Sequence, residues 1–469
     1  MMETTTAINK RLLLVISMVS SFLSPFTGNA VNIALPDIGR EFSLSAVGMS
    51  WVSMSFLLAS AVVLVPIGKL ADLYGRKKIF LAGNAVVILS TSLCAVAWSG
   101  TWLIVFRVIQ GIGGAMIFGT TMAIVTSAFQ PGERGRIIGL NVTSTYIGLS
   151  LSPILGGFLT QGLGWRSLFL VTLPFLLFAI VATLLYIKAE WKATDNETFD
   201  FAGSAVYVPA MAAFMFGFSR LPDNTAIIMA VAGLAGLIAF VLRERKVRFP
   251  VLNIQLFLKN RVFAFSNLAA LINYAATFAI GFVLSLYLQY TKGLTPAGAG
   301  LILITQPVCM ALFASVAGRM SDSYDSGVLA SVGMAVIVVG LSLLAFLTAN
   351  TTTEYLVVSL IVLGSGFGLF SSPNTNSVMG SVEKKYLGIA SAAVSTMRLT
   401  GQMMSMGIAT LIIHVFIGTS RINALSMGAF LKGTRVTFLV FAILCLFGVF
   451  ASLARGKRPS DQVVATGDN

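Results

Sequence analysis

The sequence predicts an all-α integral membrane fold, built as two six-helix bundles with a further pair of membrane-spanning helices between them, about fourteen spans in all. Three observations carry this expectation. Apolar residues fill 57% of the 469 positions and charged residues only 10%, far from the balance of a soluble domain. Mean hydropathy is +0.90, and the charge-free stretches are long enough for crossings of about 20 residues. A glycine- and charge-bearing segment also recurs once in the second half. Together these exclude a soluble enzyme, a disordered scaffold and a secreted disulfide protein.

The apolar stretches fall near 12–35, 47–70, 79–99, 101–127, 136–162, 165–187, 201–219, 225–242, 263–290, 296–317, 327–348, 354–378, 386–417 and 433–454. None alternates with period two, so helices rather than a barrel satisfy the backbone in lipid. The first stretch is long, contains Pro25 and is followed by charge, so it reads as span one rather than as a cleaved leader. Between spans two and three stands Gly68-Lys69-Leu70-Ala71-Asp72-Leu73-Tyr74-Gly75-Arg76-Lys77, echoed by Gly318-Arg319-Met320-Ser321-Asp322-Ser323-Tyr324-Asp325. Each follows the second helix of a six-helix set, which leaves two spans over in the middle. The expected divisions are 1–190 for the N-terminal bundle, 191–245 for the extra pair, 246–455 for the C-terminal bundle and 456–469 for a cytoplasmic tail.

A net charge of +14, from 31 basic and 17 acidic side chains, would point to nucleic acid in a soluble protein. Sorted by span, however, 22 of the basic residues fall on one side, 7 on the other, and Arg107 and Arg398 lie within spans. This is the positive-inside bias, and it places both termini in the cytoplasm of a multi-pass plasma-membrane protein. The partners expected are the lipid bilayer and a small molecule, with no nucleic acid, and the chain is read as a monomer. Cys94, Cys309 and Cys445 are far apart in apolar spans, so neither a disulfide framework nor a metal cluster is expected.

Three motifs carry a resemblance. Besides the Gly68–Lys77 segment there are Arg107-Val108-Ile109-Gln110-Gly111-Ile112-Gly113-Gly114 in span four and Gly148-Leu149-Ser150-Leu151-Ser152-Pro153-Ile154-Leu155-Gly156-Gly157 in span five. With the extra helix pair, these resemble the major facilitator superfamily, in particular its fourteen-span drug:proton antiporter (DHA2-like) branch. The resemblance implies a secondary active transporter that works by alternating access, exports small amphipathic or hydrophobic compounds and is not an enzyme. Two positions depart from the pattern. Ser152 stands where glycine is usual, and Thr27 stands in span one where the branch usually has a carboxylate. All 17 acidic residues fall in loops, tails or helix ends, so the buried acid on which proton coupling normally depends is missing. No nucleotide-binding G-x-x-x-x-G-K-[ST] loop is present, so no cofactor is expected and energy comes from a gradient of a coupling ion, proton or other.

Arg107, Gln110, Gly111 and Gly114 are spaced to share one helix face, as are Arg398 and Gln402 in span thirteen. Two readings of Arg107 stand: a cavity or gating residue, or a tie from helix four to carbonyls of helix one near Asn29 and Asn32. Substrate-cavity candidates are Asn29, Asn32, Arg107, Gln110, Asn141, Tyr146, Asn273, Gln306, Arg398 and Gln402, because polar groups within spans face protein or water rather than lipid. Gly68, Asp72, Gly75, Arg76, Lys77 and Asp322 are candidates for a conformational latch, in which Asp72 pairs with a cation or meets a helix N-terminus. Gly111, Gly114, Gly148, Ser152, Pro153, Gly156 and Gly157 form small-residue seams that allow close helix packing and rocking. The paired arginines without a partner acid favour a second function, a specific facilitator or carrier of an organic anion or neutral metabolite. A non-transporting membrane sensor is a third reading and requires none of these features.

Overall fold

The computed structural model describes residues 9–129, 131–192, 198–247, 250–252, 254–321, 324–383, 387–418, 422 and 425–456. Among them are fourteen helical segments long and apolar enough to cross a membrane. The elements are α1 (Lys10–Glu41), α2 (Ala46–Tyr74), α3 (Arg76–Ala95), α4 (Gly100–Ala128), α5 (Pro131–Leu163), α6 (Ser167–Leu170), α7 (Leu173–Tyr186), α8 (Phe201–Ser219), α9 (Asn224–Glu244), α10 (Ile254–Lys259), α11 (Arg261–Thr277), α12 (Ile280–Leu286), α13 (Pro296–Leu303), α14 (Thr305–Met320), α15 (Ser326–Leu344), α16 (Thr353–Gly380), α17 (Leu387–Ile417) and α18 (Met427–Leu453). The spans are the expected ones, with three interrupted. Span six divides into α6 and α7, and span ten into α13 and α14; span nine divides into α11 and α12, with a π-helical turn at Tyr287–Thr291 closing it.

The helix starts are written in the sequence. Ser45, Ser99, Asn260, Thr295 and Thr352 each accept a hydrogen bond from a backbone N–H in the first turn of the helix they precede, which satisfies groups that have no partner within the helix. A short helix, α10, leads into α11.

The two sets of helices pack by one plan. In the first, α1 lies on α5, α2 on α4, and α3 on both α4 and α7. In the second, α11 lies on α17, α14 on α16, and α15 on both α16 and α18. The extra helices α8 and α9 pair with each other, and α8 also lies against α2 and α17. At the start of this hairpin Asp200 caps α8 through Gly203 N at 2.8 Å and binds Arg243 of α9, one of the two bonds being 2.8 Å long. The Arg243 guanidinium holds the Asp200 carboxyl below the usual aspartate range.

Candidate functional site

The sets meet along α1, α2 and α5 on one side and α12, α13, α14 and α17 on the other. At the end of the seam where α1 finishes, the contact is made through backbone carbonyls. Ser285 Oγ of α12 donates to Asn32 O at 2.9 Å, and Gln289 Nε2 donates to Ile33 O at 2.9 Å. The Asn32 carbonyl is available because its helical partner would be the N–H of residue 36, and Pro36 has none. The Asn32 side chain turns the other way, where its Oδ1 accepts from Ser53 Oγ of α2 at 2.6 Å.

Alongside this clasp α5 and α13 approach through glycines. A Cβ on Gly157 would stand 2.9 Å from Ala297 Cα, and one on Gly300 2.9 Å from the Pro153 carbonyl carbon, closer than atoms pack. Pro153 frees the Leu149 carbonyl as Pro36 frees that of Asn32, and the Ser152 hydroxyl fills the vacancy by donating to Leu149 O at 2.9 Å. This explains a hydroxyl at a position where the family pattern has glycine. Gly148 and Gly156 seat α5 on α1, facing Phe22 and Ala30.

Further along the seam Tyr146 of α5 and Ser371 of α16 share a hydrogen bond of 3.0 Å. The Arg398 guanidinium of α17 lies over the Phe118 ring of α4, 4.6 Å from its centroid, and makes no ion pair among the described residues. These contacts bring Tyr146 and Arg398 to the boundary between the sets. Gln306 and Gln402 are half-buried in α14 and α17, and the first of these passes under Gly364 through its carbonyl.

Arg107 and Gln110 lie elsewhere, both wholly inside the first set at 0% exposure. Arg107 Nε donates to Val52 O at 3.1 Å, Nη1 donates to Gln110 Oε1 at 2.6 Å, and the guanidinium covers the Phe56 ring at 4.6 Å. Gln110 Nε2 continues the chain to Thr91 Oγ1 at 2.7 Å. The carbonyl that takes Arg107 is therefore on α2, not on α1 near Asn29 or Asn32. Gly111 permits this by pressing α4 against Phe56 and Ala59, and Gly114 touches the Phe56 ring. Asn29 folds back on Pro25 O, and Asn141 ties α5 to Ser21 of α1. Asn273 is fully buried in α11, with neither side-chain polar atom hydrogen-bonded.

At the opposite end from the clasp, Arg76 Nε donates to Asp72 Oδ1 at 2.8 Å, while Nη1 donates to Ala123 O at 3.1 Å and reaches Ser127 Oγ of α4. Gly75 joins α2 to α3 with φ of +119°, a conformation only glycine adopts readily. A Cβ there would also meet the Glu190 carboxylate, which accepts from Lys77 N at 2.9 Å while Trp191 O accepts from Arg76 N. The stretch after α7 thus clasps the start of α3, a contact with no signal in the motif itself. Gly68 stands in open space, and Asp322 lies outside the described residues.

Two pseudo-equivalent helical sets, touching along a seam of small residues and replaceable hydrogen bonds, define a membrane carrier of the two-bundle type. The sequence profile of the Major Facilitator Superfamily matches residues 17–263 and 267–468, and the chain belongs to that family. It is 27% identical over 389 residues to the riboflavin transporter RibZ of Clostridioides difficile, covering 83% of this chain and 85% of that protein. It is 29% identical over 384 residues to the multidrug resistance protein Stp of Mycobacterium tuberculosis, covering 81% and 71%. Its fold matches that of a bacterial homologue of the human lysosomal transporter Spinster with a TM-score of 0.65 at 16% identity, covering 97% of this chain and 98% of that one.

Proposed function

We propose that the protein is a secondary active transporter of the drug-antiporter branch, which exports small amphipathic or hydrophobic molecules across the plasma membrane by rocking residues 1–190 against 246–455, with both termini cytoplasmic. The helices of 191–245 are read as an accessory pair and the chain as a monomer. The observation that carries this reading is the seam itself. It closes at one end through side chains that can trade partners with water, and helices come into contact there only because glycines leave room. Multidrug resistance and vitamin transporters among the relatives support a small organic cargo and leave its class open.

A second reading, a facilitator for an organic anion or a neutral metabolite, is favoured by one observation. The Arg398 side chain is half-buried at the seam with an aromatic face but, among the described residues, no ion-paired carboxylate. Purified protein in liposomes, assayed for flux of cationic, neutral and anionic compounds with and without a pH gradient, separates the readings. Concentrative, gradient-driven flux supports antiport, pH-independent anion flux supports the facilitator, and absence of flux for every compound refutes transport.

A further inference from the structure

We infer that the interior of the N-terminal bundle contains a built site for ordered water, between Ser20, Asn84 and Gln110. The site is a partly open cavity of about 30 Å³ lined by α1, α2, α3, α4 and α7, room for two or three waters when each needs about 10–15 Å³ of such space. Its walls are mostly apolar, with Leu23, Phe56, Val87, Ile117 and Leu176, and carry a smaller polar part.

The polar part specifies the occupant. Asn84 is 1% exposed; its Nδ2 is used on Phe80 O at 2.8 Å, and its Oδ1 has no partner. Ser20 is 5% exposed and its Oγ is likewise without a partner. Gln110 contributes an amide whose oxygen is taken by Arg107 and whose nitrogen has used one hydrogen on Thr91, leaving one to give. Thr27, half-buried at the rim, has spent its hydrogen on Leu23 O and can only accept further. A ligand here must donate to Asn84 and accept from Gln110. A bare anion faces the Asn84 oxygen, and a bare cation faces an amide N–H with a guanidinium behind it. A neutral molecule that both donates and accepts satisfies every group at once, and buried polar atoms of native proteins are commonly satisfied by such waters.

A second cavity of about 10 Å³ lies beside it along α1, α3, α4 and α7, displaced towards the clasp of Glu190 on α3. Ser17, Lys77, Thr121 and Thr183 line it, and the buried Thr183 Oγ1 has no partner. This inference concerns the folded chain alone and stands whether or not transport is observed.

The test is X-ray radiolytic footprinting of the full-length protein in nanodiscs, in which bound water oxidises the side chains it touches. Leu23 and Leu176 are expected to be oxidised about tenfold faster than Leu57 and Leu64, which are buried to the same degree but line neither cavity. Asn84→Leu should bring the two rates down to those of Leu57 and Leu64, and the milder Ser20→Ala should lower them in part. Equal rates for all four leucines in the unsubstituted protein overturn the proposal without recourse to any variant. So does protection of Leu23 and Leu176 that appears with chloride and disappears when chloride is replaced by gluconate, because the occupant is then an anion.

Discussion

The hydroxyl of Ser285 reaches across the seam to the backbone carbonyl of Asn32, 2.9 Å away, and takes the one acceptor on that turn of α1 that the helix cannot use because of Pro36. Closure of this end is thus driven by a helix defect in one half repaired by the other. When the two halves part, the carbonyl needs water instead, so the bond exchanges rather than disappears.

Removing that donor should shift the equilibrium. Ser285→Ala leaves Asn32 O without its cross-seam partner when the halves are closed, at a cost of about 1 kcal/mol, which is about fivefold in the closed population. Ser285→Thr keeps the hydroxyl and should stay near the unsubstituted value. Distance distributions by double electron–electron resonance, with spin labels at the C-terminal ends of α1 and α12, read the populations directly. Equal distributions for Ala and Thr variants would show the bond to be incidental.

The approach of α5 to α13 makes a sharper demand. A methyl group on Gly300 meets the backbone of Pro153, which cannot move aside as a flexible side chain can. Gly300→Ala should therefore hinder closure by about 1–3 kcal/mol, the usual range for overpacking, while leaving the fold of each half intact. Cysteine cross-linking between α5 and α13 should fall in yield, with thermal unfolding little altered.

The fold was legible in the sequence, and most of these contacts were not. Span number and the pairing of halves followed from apolar run length, the repeated glycine segment and charge placement, because those signals are local. Pro36 and Pro153 each leave a helix carbonyl free by residue type alone, yet only the three-dimensional structure could supply the donors, Ser285 for one and Ser152 for the other. Arg107 and Arg398 occupy matching helical patterns, but one is sealed inside a bundle and the other lies at the seam. Helical spacing fixes which residues share a face; it does not fix what the face meets, and here the close approach allowed by Gly111 turned Arg107 onto α2. Asn84 and Glu190 were missed because each belongs to no motif and acts through an element distant in sequence.

Asp72 holds Arg76 in place for its bonds to Ala123 O and Ser127 on α4. The pair is four residues apart and partly exposed, so its direct worth is only about 0.3–0.5 kcal/mol. Asp72→Asn should accordingly leave thermal stability and ligand affinity nearly unchanged while slowing transport severalfold, because the residue acts on the joint between α2 and α3. Parallel losses of affinity and rate would contradict a latch.

The Asp200–Arg243 pair predicts a pH limit for the α8–α9 hairpin. Because Arg243 holds the Asp200 carboxyl below its ordinary value of about 3.9, folding favours the ionised form. Its stabilising contribution is complete above that value and is lost as pH falls through the lower folded-state value. Hydrogen exchange at the start of α8 should be flat from about pH 7 to 5, after correction for intrinsic rates, and rise only below about pH 4. Asp200→Asn should show raised exchange throughout and no such step.

Arg107 provides the most demanding test, because it is a charge buried with neutral partners only. Its bonds to Val52 O and Gln110 Oε1 come from two different nitrogens of one planar group, and the Phe56 ring covers the same guanidinium. Each hydrogen bond to a charged group is worth about 1.5–3 kcal/mol, and the ring adds about 0.5–2. Lysine keeps the charge but concentrates its donors at one point and cannot span both acceptors in the same geometry. Thermal unfolding followed by tryptophan fluorescence should therefore rank the proteins with the unsubstituted chain highest, Arg107→Lys below it and Arg107→Ala lowest. If alanine melts at the unsubstituted temperature, the guanidinium does not tie α4 to α2, and its burial must serve a state of the seam other than the closed one.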